Sequence, residues 1–204
     1  MSENGYSSKY MEKIARFHRW RNELELVDKV MLALGFAVLT GLLAQVRFVF
    51  PFSPVPITGQ TFAVLLAGMV LGRWGGASMA MYVGIGAAGI PWFTNGMGGL
   101  SALTGATGGY LLGFILAASF IGYMTERHVR SRKVAYLIPM LLFANFVLIF
   151  LPGLLVLNIW WGEFIGPITL VKLLSVGFVP FIAGDLIKIA AAAGLAKFIL
   201  PAEM

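Results

Sequence analysis

The chain divides into a polar opening followed by a long succession of apolar runs. Residues 1 to 28 mix Lys9, Lys13, Arg16, Arg19 and Arg21 with Glu3, Glu12, Glu23, Glu25 and Asp28, and sustained apolar sequence begins only near Val30. A cleavable secretion signal has a short basic start followed at once by a brief apolar core, so this opening reads instead as a charged cytoplasmic extension with the character of an interfacial helix. A helix that crosses a bilayer needs about 20 mostly apolar residues, because each adds about 1.5 Å across a core about 30 Å thick. On that basis there are six candidate runs: 30–46, 61–71, 76–89, 109–125, 134–157 and 175–200. The second and third are short for full crossings and must tilt, borrow from their flanks or re-enter. The pattern predicts an all-α polytopic membrane protein, with six transmembrane helices in a compact bundle and ordered external loops. It has two regions, the charged extension 1–28 and the membrane domain 29–204.

Composition sharpens this reading. Apolar residues make up 59% and charged residues 12% of the chain, against about 45–50% and about 25% in soluble domains, which excludes a water-soluble globule. The net charge of +6 marks cytoplasmic segments rather than contact with nucleic acid. If the N-terminus is inside, the cytoplasmic side receives the basic residues of the opening, Lys29, Arg73, Arg127, Arg130, Arg132, Lys133 and Lys197. Only Arg47 and Lys172 then lie outside, and Lys188 falls within the last run. The same orientation sets Trp92, Trp160 and Trp161 at the outer boundary and Trp20 and Trp74 at the inner one. Both ends are therefore expected in the cytoplasm, with lipid around the helices.

The chemistry available is narrow. There is no cysteine, which removes disulfides, thiol nucleophiles and cysteine metal sites, and the two histidines, His18 and His128, both sit in charged stretches. No Walker A pattern occurs, so the chain carries no nucleotide-hydrolysing loop of that kind. The run Gly84-Ile-Gly86-Ala-Ala-Gly89 fits the spacing of a dinucleotide fingerprint, but it lies inside an apolar run that stops at Pro91 instead of linking a strand to a helix. Such small residues, with Gly68 and Gly72 and with Gly109 and Gly113, instead let helices approach closely. No catalytic residue, metal ligand or cofactor site is expected, and the chain does not read as an enzyme.

Two connections stand apart. RFVFPFSPVPITG (47–59) and IPWFTNGMGGLSALTGATG (90–108) are rich in aromatic residues, Pro, Gly and Thr but hold a single charge, Arg47. Prolines stiffen the first and glycines permit tight turns in the second. Such loops suit a lid over an outward-facing pocket, or re-entrant segments packed for stability. The sharpest feature is Gly184-Asp-Leu-Ile-Lys188 within the last run. Ionisable residues at such depth are costly and mark functional sites by default, and a spacing of three sets Asp185 and Lys188 on one helix face. They offer an acceptor and a donor to a ligand that carries both kinds of group; the alternatives are a structural ion pair or a lysine reaching for the interface. In the first run Ala33, Ala37 and Gly41 form a strip of small residues, suited to helix packing or to a docking partner.

SPVPITGQTFAVLLAGMVLG (53–72), GIPWFTNGMGGLSALTGATGGYLLGF (89–114) and GDLIK (184–188) together resemble the BioY family, whose members are biotin-binding S components of energy-coupling factor (ECF) vitamin transporters. The resemblance spans roughly 30–200. It implies six membrane helices and capture of biotin from outside, in a pocket closed by the loops after the first and third helices. It also implies coupling to a transmembrane T subunit and two ABC-type ATPases, with the first-helix strip Ala33, Ala37 and Gly41 as the docking face. The acid and lysine of the family map onto Asp185 and Lys188, which would bind the ureido head. Gln60, Asn95, Thr104, Thr107 and Tyr110 are expected as further contacts, and Phe93, Trp92 and Phe52 as an apolar slot; Met97 departs from a longer glycine run and narrows the pocket. A solitary homo-oligomeric biotin transporter and a membrane assembly protein remain as alternative functions.

Overall fold

The computed structural model describes residues 23–200, the side chains of 129, 130 and 197–199 excepted; most of the charged extension therefore lies outside the described residues. Helix α1, Leu26–Gln45, leads into a minimal antiparallel hairpin of β1, Arg47–Phe48, and β2, Ile57–Thr58, paired Arg47 to Thr58 and Phe48 to Ile57. Helices α2, Gln60–Leu71, and α3, Trp74–Ala87, follow. The second connection carries a 3-10 turn, Thr94–Gly96, and a single helical turn, α4, Ser101–Thr104. Helix α5, Gly108–Arg127, follows. Beyond it α6, Val134–Phe143, passes through a π-helical segment, Ala144–Ile149, into α7, Phe150–Phe164, and then come α8, Leu170–Gly177, and α9, Ile182–Ile199.

Among the described residues four helical stretches are long and apolar enough to cross a membrane: Leu26–Gln45, Gly108–Arg127, Val134–Phe164 and Leu170–Ala196. Helices α2 and α3, of 12 and 14 residues, reach only about 18 and 21 Å at 1.5 Å per residue, which bears on the expectation of six spans. The fifth run extends to Phe164, beyond its expected end at Leu157. The last starts earlier than Ser175 and is broken, because Pro180 has no N–H to continue the helix and the chain turns through Val179–Phe181 before α9.

Helix α5 is the hub. In its most apolar window 61% of residues are buried, against 22% in that of α1, so α5 is central and α1 peripheral. Its glycines make this possible: a Cβ on Gly109 would run into the Pro152 carbonyl oxygen, and one on Gly113 would lie 2.6 Å from Ile149 Cα. Gly68 of α2 meets Ala118 and Ile121 of α5 in the same way. The close approach of α5 falls on the π segment and its continuation. Pro152 explains the irregularity there, since it offers no N–H to the carbonyl four residues back and its ring presses on that turn.

The strip Ala33, Ala37 and Gly41 packs against other parts of this chain. Ala33 and Ala37 are fully buried and the strip is turned into the molecule. Ser78 of α3 donates to the Ala33 carbonyl at 2.6 Å, Thr40 faces Met79, and the Trp92 ring sits on Gly41. Small residues are needed there because α3 and an indole ring occupy the space. The exposed face of α1 is the opposite one, with Met31, Val38 and Leu42.

Candidate functional site

A cavity of about 540 Å³, its open mouth included, lies between the hairpin, the second connection and helices α2, α5, α7 and α9. Its polar pole is built on α9. Asp185 is 1% exposed, and Lys188 one turn later donates to its Oδ1 at 2.6 Å. Thr61, in the first turn of α2, donates to the same oxygen at 3.2 Å, and Asn145 of the π segment donates to Oδ2 at 2.8 Å. A carboxylate has about four acceptor positions; with two bonds on Oδ1 and one on Oδ2, the open position is on Oδ2. Lys188 has spent its three protons, on Asp185, on the Thr61 hydroxyl and on the Thr58 carbonyl, the last two at 2.8 Å. The ion pair thus links the last helix to the hairpin and to the start of α2, and the lysine does not reach for the interface.

A second polar chain runs beside it. Thr58 donates to Gln60 Oε1 at 2.8 Å, Gln60 Nε2 donates to the Tyr82 hydroxyl at 2.7 Å, and Tyr82 donates to the Trp92 carbonyl at 3.3 Å. The opposite wall is aromatic. Tyr110 and Phe150 meet edge to face at 5.6 Å, and Phe150 and Phe181 at 5.7 Å. The Tyr110 hydroxyl is fixed by donating to the Gly177 carbonyl at 2.8 Å, so it presents its ring to the cavity.

Both unusual connections contribute to the walls, the first through Val55, Pro56 and Thr58 and the second through Phe93, Thr94 and Thr107. Each is tied down. Ser53 donates to the Val176 carbonyl at 2.7 Å, anchoring the hairpin loop on α8, and Gln45 donates to the Phe93 carbonyl at 3.0 Å, anchoring the second connection on α1.

Of the residues expected at the site, Asp185, Lys188, Gln60, Phe93, Thr107 and Tyr110 line this one cavity. Four others do not. Asn95 is exposed with φ of 63°, so it supplies the left-handed position of a tight turn, a conformation asparagine tolerates. Thr104 is exposed and bonds back to the Ser101 carbonyl in its own turn. Phe52 is half exposed and stacks on Phe50, and Trp92 donates its indole N–H to the Tyr82 carbonyl behind the wall. Met97 is exposed and is not part of the lining. Conversely, Thr61, Thr94 and Asn145 belong to the site region without having been marked by the sequence pattern. Asn145 carries a usable signal, as the one amide side chain between residues 134 and 157. A polar group in such a run is expected to bond across helices.

The BioY family model matches residues 11–203. The chain belongs to the BioY family. Its relatives include the probable biotin transporter BioY of Methanothermobacter thermautotrophicus, 50% identical over 143 residues that cover 68% of this chain and 89% of that protein. The biotin transporter BioY of Thermotoga maritima is 42% identical over 147 residues, covering 72% of this chain and 81% of the relative. The fold is that of the crystal structure of the S-component for biotin from an ECF-type ABC transporter, with a TM-score of 0.74 at 23% identity over 84% of this chain and 89% of that one. This BioY family member is an integral membrane protein.

Proposed function

We propose that this chain captures biotin at the outer face of the membrane and delivers it inward as the S component of an ECF transporter. The observation that carries the reading is the cavity itself, with a buried acid–lysine pair at one pole and an aromatic wall facing it. A ureido group presents two N–H donors and one carbonyl acceptor, and the open position on Asp185 Oδ2 suits one of those donors. The aromatic wall of Tyr110, Phe150 and Phe181 suits the fused rings and aliphatic chain. Each polar group left unmatched in such a site costs about 1–3 kcal/mol, so a ligand with a donor for the open position on Asp185 is favoured over one without. Membership of the BioY family supports the ligand.

In this reading the chain crosses the membrane six times, with α2 and α3 tilted or extended by their flanks, and both ends are cytoplasmic as the distribution of Lys and Arg favours. Energy comes from a transmembrane T subunit and two ABC-type ATPases, and the chain itself performs no chemistry. The decisive experiment is isothermal titration of the detergent-purified protein with biotin, with thiamine and riboflavin as controls. Nanomolar binding of biotin alone is the expected result, and no binding by a folded sample overturns the reading. A double variant, Asp185→Leu with Lys188→Met, tests the site within the same experiment. Replacing a buried ion pair by apolar residues is often neutral for stability, so the variant is expected to fold and to lose biotin. Retained binding removes the pair from the site.

A further inference from the structure

Thr94 lines the cavity, is 5% exposed, and its hydroxyl oxygen is buried without a hydrogen-bond partner among the described residues. Apart from the Thr107 hydroxyl and the second amide proton of Gln60, the side-chain donors on the wall are committed. Lys188 has no proton left, the Thr61 hydroxyl goes to Asp185, the Thr58 hydroxyl to Gln60 and the Tyr110 hydroxyl to Gly177, while Gln60 gives an amide proton to Tyr82. The polar pole therefore offers a ligand an acceptor position on Asp185 but little with which to satisfy an acceptor of its own. Thr94 is held rigidly where that need arises: the Phe93 N–H bonds to the Met97 carbonyl, the Gly99 N–H to the Gly86 carbonyl, and Gln45 grips the Phe93 carbonyl. The left-handed Asn95 and Gly96 turn the chain immediately after it. A buried hydroxyl without a partner is a standing cost, and a rigid loop that keeps one on a cavity wall is built for a partner that arrives.

We propose that the Thr94 hydroxyl is a ligand-binding donor, taking an acceptor oxygen of the bound molecule and setting the affinity for ligands that carry one. The inference rests on biotin being the ligand, whose acceptor oxygens are the ureido carbonyl and the carboxylate. Without a ligand the hydroxyl contributes nothing to folding, so stability and binding respond oppositely to its removal. That opposition is what a merely structural threonine does not produce.

The experiment compares wild type, Thr94→Val and Thr94→Ser, each purified in detergent and measured for biotin affinity by titration and for thermal unfolding without ligand. Thr94→Val is expected to bind biotin about tenfold more weakly, the effect of losing about 1.4 kcal/mol, and to unfold at or above the wild-type temperature. Thr94→Ser, which keeps the hydroxyl, is expected to bind within about twofold of wild type. Three results overturn the assignment: Thr94→Val binding like wild type, both variants losing affinity equally, or Thr94→Val unfolding several degrees below wild type. A folded wild type that binds no biotin overturns the choice of ligand and this inference with it, whereas a wild type that binds while Thr94→Val is unaffected overturns only the role of Thr94.

Discussion

Asn145 and Asp185 meet from helices forty positions apart in sequence, and the bond between them fixes which way the carboxylate faces. The amide donates to Oδ2 at 2.8 Å while its own Oδ1 is buried without a partner among the described residues. Asn145→Ala removes the donor and leaves part of a buried carboxylate unmatched, so it is expected to destabilise the protein by about 2 kcal/mol, the usual scale for a hydrogen bond to a charged group. Thermal unfolding in detergent checks this. In the sequence, Asp185 and Lys188 were legible because charge inside an apolar run has few innocent explanations. Thr94 was not, because a threonine next to an asparagine in a polar, glycine-rich stretch looks like one more turn residue. The division of labour between the two, Asn95 turning the chain and Thr94 facing the cavity, depends on a backbone angle that no spacing rule supplies.

The helices followed from the apolar runs, and the glycine pairs were legible as places of close approach. Which neighbour approaches was not. Gly113→Ala sets a methyl 2.6 Å from Ile149 Cα, a backbone atom that cannot step aside, so it is expected to cost about 1–3 kcal/mol as an overpacked contact. Gly35 of α1 faces open space, where a Cβ would meet nothing within 4 Å; Gly35→Ala is expected to be neutral or to stabilise by about 0.5–1 kcal/mol, since alanine restricts the unfolded chain and favours helix. A paired melting experiment distinguishes the two glycines. The strip Ala33, Ala37 and Gly41 carries the same lesson: periodicity assigns small residues to one face of a helix, but only tertiary structure tells that α3 and Trp92 fill it. The π segment is beyond sequence reading for a related reason. Pro152 announces a disturbance, but its relief by an extra residue per turn depends on α5 pressing glycines against that stretch.

Across the whole molecule, the two connections that close the cavity are each pinned by a side chain to a distant backbone carbonyl, Ser53 to Val176 and Gln45 to Phe93. Ser53→Ala frees the hairpin loop from α8 while leaving every cavity-lining side chain in place. Biotin is expected to dissociate about fivefold faster from this variant, as one net hydrogen bond of about 1 kcal/mol is lost from the closed arrangement, while its association rate changes little; stopped-flow displacement reads both rates. The lysine on α9 has a consequence in time as well as in space. Lys188 grasps the Thr58 carbonyl across 130 residues of sequence, so the hairpin and the start of α2 are made well before the anchor that organises them. Until α9 is made, the hairpin and the first turn of α2 lack the ammonium that ties them together. Asp185 and Lys188 arrive together as neighbours of opposite charge, and the polar pole of the cavity is assembled only when both are in place.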